Sequence, residues 1–504
     1  MTWRYGVILA FALGVTALVA AGTASAGRVA VVVVARFAPA EYAGAGALGE
    51  FVPGAGPRVS LASALDALET GKVRSSRLGG RPRGKRLIRV STRPGAITIY
   101  VSLPPPGSHP NDTRYPVAIV GGGYRGILTS SSTRIRGLVS IADVAPSAVA
   151  LAQGNRPRIR SSPDGDAPRT LAALERRLHR VRDVRWPASL LMIGVAMLWG
   201  LLSLATRWEV AGRACFLTAP TALVASLVLS GAGVTRPWVV DVVLGAATLL
   251  VAPGLAALLH RSPAIAAALV AVLAAYLVVL AAWPEVNAIS AYGPHPDEGG
   301  RFYGVSNRVE MLLLLPALLP AGLLGLAAAA PLAALALATV GLSATGADGG
   351  GLVVVAAGFL ALLPRLRGRK LRARTIAFAA AGALGLALAI VGIDAALGGS
   401  SHVTHAVGGG PASLWHDFTR RVHLSFASAT SSWHQGIFFF VGLAVIGLFA
   451  ARKPRSAVRD ALFVALAVSL LVNDAPLDTI GNGALVTTSL WTWERLRPEG
   501  ATVD

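Results

Sequence analysis

From position 187 onward the chain alternates long apolar runs with short polar breaks. The runs fall near 187–206, 214–233, 238–259, 264–283, 309–328, 330–347, 350–364, 376–398, 436–451 and 461–475. A shorter one lies near 483–493, after a stretch broken by Asn473, Asp474 and Asp478. About 20 apolar residues carry a helix across a bilayer, so the pattern predicts a polytopic α-helical membrane protein with about 10–11 spans. Arg4, an apolar stretch and Ala24-Ser25-Ala26 predict a signal peptide or signal anchor over 1–26.

Residues 27–165 follow a different pattern. RVAVVVVARF (28–37) is a continuous β-branched run, and AITIYVSL (96–103) and PVAIVGGG (116–123) read as further strands. SLASALDALETGK (60–72) carries Leu61, Leu65 and Leu68 at helical spacing behind a serine cap. Alternating strands and helices predict a small extracytoplasmic α/β domain over 27–165. Residues 166–186 place Leu171, Leu174, Leu178 and Val181 on one stripe of a basic juxtamembrane helix. A membrane domain over 187–495 and a cytoplasmic tail over 496–504 complete the organisation.

Composition sharpens this picture. Hydrophobic residues make up 54% of the 504 positions and charged residues 14%, where soluble proteins carry about 25%. Mean hydropathy is +0.61. The net charge of +21 comes almost wholly from arginine, since lysine occurs only at 72, 85, 370 and 453; with abundant Ala, Gly and Val this suggests a high-GC bacterial genome. No zinc, RNA or DNA motif accompanies the charge, so nucleic acid is set aside as a partner. Membrane lipids are the expected partners, with a lipid-linked glycan or anionic envelope polymer as candidates. If 27–186 lies outside, the dense basic loops RLRGRKLRAR (365–374) and ARKPRSAVR (451–459) lie inside, as the positive-inside rule requires. This places the chain in the cytoplasmic membrane with its N-terminal domain extracytoplasmic. Loops 284–308 and 399–435, the Asp348 turn and Asn473–Asp478 then face outward. The single cysteine, Cys215, allows no internal disulfide and reads as a small buried hydrophobe.

The candidate chemistry gathers in those outward pieces. GPHPDEGGRFYGVSN (293–307) joins His295, Asp297, Glu298, Arg301, Tyr303 and Asn307 between two apolar runs, and Glu310 lies one turn into the next span. An ionisable residue in a span is a functional candidate by default. Arginine grips phosphate through two parallel hydrogen bonds and stays charged, so Arg301 suits a lipid-linked diphosphate. GADGGG sets Asp348 in a glycine-rich turn; WHDFTRRVHLSF (415–426) carries His416, Arg420 and Arg421; SSWHQG puts His434 just before a span; LVNDAPLDTIGN adds Asn473 and Asp474. Catalytic candidates are His434, Asp348 and Glu310. Substrate-binding candidates are Arg301, Tyr303, Asn307, His295, Asp297, Glu298, His416, Asn473 and Asp474. The sequence names no cofactor with certainty; a divalent cation on His295, Asp297, Glu298 and Asp348 is an open option, although their spacing matches no metal motif. The basic run from Arg74 to Arg89 is either a phosphate-binding surface or a solvated loop.

Two resemblances add to this reading. Residues 115–151, with Asp143-Val144-Ala145-Pro146-Ser147 before an apolar helix and VVVVARF as a first strand, resemble the alkaline-phosphatase-like superfamily. That family ends its first strand in a metal-binding aspartate, where this chain runs Val34-Ala35-Arg36. The resemblance therefore implies a degenerate domain without phosphatase activity. RFYGVSNRVEMLLLLPALLP, a basic inner loop, a long outer loop and His434 resemble the O-antigen ligase and polymerase class. That likeness implies Arg301 on a donor diphosphate and His434 assisting an acceptor hydroxyl. The expected function is action on a lipid-linked, phosphate-bearing saccharide or phospholipid at the outer face of the membrane, including glycosyl transfer. The alternatives are a transporter or flippase of such a lipid, and a non-catalytic envelope scaffold.

Overall fold

The computed structural model describes residues 29–78, 84–396, 410–430, 432–473 and 475–496. The segment 1–26, Arg81, Arg83, His402, His405, Asp474 and all of the 496–504 tail but Leu496 lie outside these residues. The chain divides into two compact units. The first ends at His179 and adds His295–Phe302; the second holds Arg180–Pro294 and everything from Tyr303 onward.

The first unit is built on a mixed sheet. Its strands are β1 (Val29–Val34), β2 (Gly46–Val52), β4 (Ile97–Ser102), β6 (Tyr115–Val120), β7 (Gly126–Ser130), β8 (Leu138–Ser140) and β9 (Ile159–Ser162), in the order β1-β4-β6-β2-β7-β9, with β8 also paired to β2. β3 (Arg58–Ser60) and β5 (Ser108–Pro110) form a separate antiparallel pair. β1 and β4 run parallel, in register from Val29 with Ile97 to Val34 with Ser102, while β6 is antiparallel to both β4 and β2. Helices α1 (Leu61–Thr70) and α2 (Val144–Ala152) pack beside it. Ser60 caps α1 by accepting from Ser63 N, and Gly71 ends it in the left-handed conformation. Val31, Phe51, Leu68, Ile99, Val117 and Leu128 close the core. Asp143, of the D-x-A-P segment, is buried and accepts from Ser130 Oγ, from Ser132 Oγ at 2.9 Å and from Arg158 at 3.4 Å. Its oxygens brace the end of β7.

The second unit is helical: α3 (Ala167–Thr206, whose first part belongs to the first unit), α4 (Glu209–Gly231), α5 (Pro237–Leu258), α6 (Ser262–Ala282), α7 (Asn307–Leu324), α8 (Leu326–Gly341), α9 (Gly349–Leu366), α10 (Ala373–Ala396), α11 (Gly410–Ala429), α12 (Trp433–Ala451), α13 (Ala457–Val472) and α14 (Pro476–Arg495). Eight of these, α3 to α7, α9, α10 and α12, are long and apolar enough to cross a membrane among the described residues. α8 and α13 have 16 residues each, short of a full crossing. The basic stripe at 166–186 and the first apolar run form one helix, because Pro187 is accommodated inside α3. Apolar side chains such as Leu250, Leu258 and Phe440 are about 70% exposed, a costly arrangement in water that fits a multi-pass membrane protein.

In the first unit, Arg114 is buried and bonds to Glu175 and, at 2.6 Å, to Asp297. Glu50 sits beside this group; burial, and then the neighbouring Glu175 charge, push its carboxyl up to about 8, against the pull of Arg114. A carboxyl raised in the fold adds stability that is complete below its ordinary value near 4.5 and is lost as pH rises through about 8. Hydrogen exchange in peptides spanning β2 and β6 should therefore quicken between pH 5 and pH 9, after correction for intrinsic rates. Glu50→Gln should flatten that dependence, and an unchanged slope in the variant would refute the assignment.

Candidate functional site

Three helix ends meet inside the second unit. Ser306 caps α7 by accepting from Val309 N, which sets Glu310 in the first turn. Asp348 caps α9 by accepting from Gly351 N at 3.1 Å. Asn473 terminates α13. α9 packs on α13, and α7 packs on both. Glu310, Asp348 and Asn473 are each at most 2% exposed.

The amide of Asn473 organises the cluster. Its Nδ2 donates to Glu310 Oε2 and to Ser469 Oγ, both at 2.8 Å, so both of its hydrogens are used. Ser469 in turn shares a hydrogen bond of 3.0 Å with Thr479. Asn473 Oδ1 is buried and takes no donor from the described residues. It faces Gly350, where an added Cβ would lie 2.3 Å from it and 3.3 Å from an Arg421 terminal nitrogen. At Gly351 a Cβ would stand 3.1 Å from the carboxyl carbons of both Glu310 and Asp348. The glycines of GADGGG thus let two carboxylates, an amide oxygen and a guanidinium approach the same stretch of backbone.

Other bonds hold the surroundings still. Asp394 accepts from Ser343 Oγ at 2.5 Å and fixes the turn between α8 and α9. Val305 N donates to Gly346 O at 2.9 Å, tying the approach to α7 against that turn. Arg421 donates to Val472 O at 3.3 Å and Ser425 Oγ to Asn473 O at 2.7 Å, so α11 is pinned over the end of α13. Arg308 reaches Ser189 Oγ at 2.9 Å and Asp478 at 3.4 Å.

No family model, curated protein or solved structure matches the chain.

The structure gathers some of the sequence candidates within the second unit and describes others in the first. Glu310, Asp348 and Asn473 come together. Tyr303 and Asn307 lie in the same unit, at the approach to α7. His434 is exposed in the first turn of α12 and stacks on Trp433; His416 is exposed on α11. Among the described residues, neither histidine is hydrogen-bonded to the cluster. His295, Asp297, Glu298 and Arg301 belong to the first unit. There His295 Nε2 donates to Leu178 O at 3.0 Å, Asp297 binds Arg114, and Glu298 O accepts from Gly56 N at 2.8 Å. Gly299 permits this docking: its φ is +59°, and a Cβ would lie 2.0 Å from Gly54 O. These contacts make residues 295–299 a clasp on the α/β unit. Among the described residues, no group of three or more His, Cys, Asp or Glu side chains is placed to hold a metal.

Ser469 and Arg308 escaped the sequence reading. Ser469 stands four residues before Asn473, on the same helical face, a spacing that would have marked it once Asn473 was chosen. Replacing Asn473 by leucine removes the donor to a fully buried carboxylate. That should cost about 1–3 kcal/mol, read as a lower melting temperature in detergent, whereas His416→Ala should leave the melt unchanged.

Proposed function

We propose that this protein acts on a phosphate-bearing, lipid-linked substrate, a saccharide or phospholipid, at the outer face of the bacterial cytoplasmic membrane. The site proposed is the junction of α7, α9 and α13. The observation that carries this reading is the convergence of Glu310, Asp348, Asn473 and Arg421 on Gly350 and Gly351 in the first turn of α9. Helix N-termini favour negative charge, and a guanidinium stays charged in a dry setting, so a phosphoryl oxygen is well served there. A carboxylate in the same place can accept a proton from an attacking hydroxyl.

In group transfer from a lipid diphosphate, Arg421 balances charge on the departing phosphate. Glu310 or Asp348 takes the proton of the acceptor hydroxyl as its oxygen bonds to the transferred group. The bond to the diphosphate oxygen breaks with its electron pair, leaving the lipid diphosphate as product. Because the carboxylates are closed off, the substrate is admitted by displacement of α11, which the bonds of Arg421 and Ser425 tie to this junction. Arg421, whose terminal nitrogen lies at this junction, is given the phosphate-binding role in this proposal. Transport of the same lipid is the second reading, favoured by a carboxylate buried one turn inside a span and by the short α8 before a buried turn.

Native mass spectrometry of the detergent-purified chain tests the substrate class. Wild type should retain a polyprenyl-phosphate or phospholipid adduct that Arg421→Ala loses. Glu310→Gln should keep the adduct and lose turnover, seen as the absence of transferred product when an acceptor saccharide is added. Lipid translocation in proteoliposomes without a new covalent product favours transport. Spectra of wild type and Arg421→Ala alike in showing no specific lipid would sink both readings.

A further inference from the structure

A second feature lies in the helical unit, at the far ends of the helices that form the junction. α9 opens at the junction and closes at Leu366, while α13 closes there and opens at Ala457. Arg365 joins these two far ends: its Nε lies 2.8 Å from Asp460 Oδ2, and a terminal nitrogen donates to Arg455 O at 3.0 Å. α14 arrives at the same place, because Arg459 pairs with its Glu494 at 2.8 Å. α12 ends there as well. Its Phe449 ring packs on the Trp491 ring of α14, with 5.0 Å between centroids. Arg452 lies over both rings, 4.9 Å from the centre of Trp491 and 5.4 Å from that of Phe449. Arg495 lies 5.3 Å from the centre of Trp491. Two guanidinium groups thus share one indole.

We infer that this end of the helical unit binds the phosphate of an anionic phospholipid headgroup. The acids built into it are already taken. Asp460 is held by Arg365 and Arg455, and Glu494 by Arg459. α4 starts beside Leu496, and its Glu209 faces Arg213 at 3.5 Å. Arg452, Lys453 and Arg495 form no ion pair among the described residues, nor do Arg367, Arg369 and Lys370 on the turn after α9. Helix dipoles do not absorb this excess. α9, α12 and α14 end here while α10 and α13 begin, so their partial charges, about half a unit each, largely cancel. A guanidinium stacked on a ring spends its flat face and keeps its in-plane N–H donors, which match phosphate oxygens in pairs. A phospholipid fits better than a free anion because the charges crown an apolar flank. Leu448, one turn before Arg452, is exposed, as is Phe440 further along α12. Acyl chains cover that flank while the phosphate meets the arginines, and an indole beside them suits the headgroup level.

Hydrogen exchange of the full chain in nanodiscs tests this, read in peptides covering 449–457 and 366–373. Phosphatidylglycerol is titrated into phosphatidylcholine. Exchange in both peptides should slow as the anionic lipid rises, and high salt should weaken the effect. Arg452→Gln and Arg495→Gln should each raise the fraction of phosphatidylglycerol needed for half-maximal protection about fivefold, the loss expected for one cation at a charged lipid surface. Arg452→Lys keeps the charge and should recover most of that loss. Lys453 lies outside the aromatic stack, so Lys453→Gln removes a charge without loosening the fold and should shift the midpoint in the same direction. Equal exchange in the two lipids, or midpoints unchanged in Arg495→Gln and Lys453→Gln, overturns the inference. Protection by soluble polyglutamate but not by phosphatidylglycerol assigns an acidic polypeptide partner and overturns it as well.

Discussion

A carboxylate taken out of water must be given donors, and in an apolar bundle the donors are scarce. Glu310 imposes that constraint on the helical unit. Every helix between its ends has already spent its amide hydrogens on its own backbone. Unspent donors remain at N-termini and on polar side chains, so a buried acid in such a bundle has to sit where helices end. Glu310 and Asp348 lie at the starts of α7 and α9, and Asn473 is at the finish of α13. The glycine-rich opening of α9 follows from the same demand, since a side chain at Gly350 or Gly351 would strike the groups that must meet there. Structure and chemistry thus coincide: the arrangement that makes an acid tolerable also brings acceptors and a guanidinium to one place.

The α/β unit answers the same problem differently. Arg114 is nearly inaccessible and is flanked by Glu175 and Asp297, one from the start of the long helix α3 and one from the middle of the chain. Burial works against its charge, and the two carboxylates outweigh that cost, so its charge is held more firmly than in water. The acid beside them, Glu50, is left with the unfavourable share. One buried ion group therefore fixes which piece of the chain closes the unit and leaves a neighbour sensitive to pH.

Hydropathy made the helical unit legible, because a segment that crosses a bilayer must be apolar along its whole length. It also picked out β1, β4 and β6, which are rich in Val and Ile, and α1 with its serine cap. β2 escaped because GALGEFV carries two glycines and a glutamate, and β7 to β9 because they are too short for a period to show. The candidate site was half legible. Glu310, Asp348 and Asn473 each stood out as polar groups at the edges of apolar runs. Their meeting did not, because Asn473 and Glu310 are 163 residues apart and nothing local specifies which helices pack together.

The loop GPHPDEGGRFYGVSN shows what composition alone leaves out. Histidine, acids and arginine beside a membrane look like a ligand site. Yet His295 and Asp297 make bonds that only a protein surface supplies: a backbone carbonyl at 3.0 Å and a buried arginine at 2.6 Å. The glycine at 299 has the φ and the close contact of a docking turn. A reactive side chain is used for binding a ligand only if the fold has not already used it for itself. By that standard Asn473 Oδ1, buried and without a donor among the described residues, is the atom on which the site proposed at the helix ends turns.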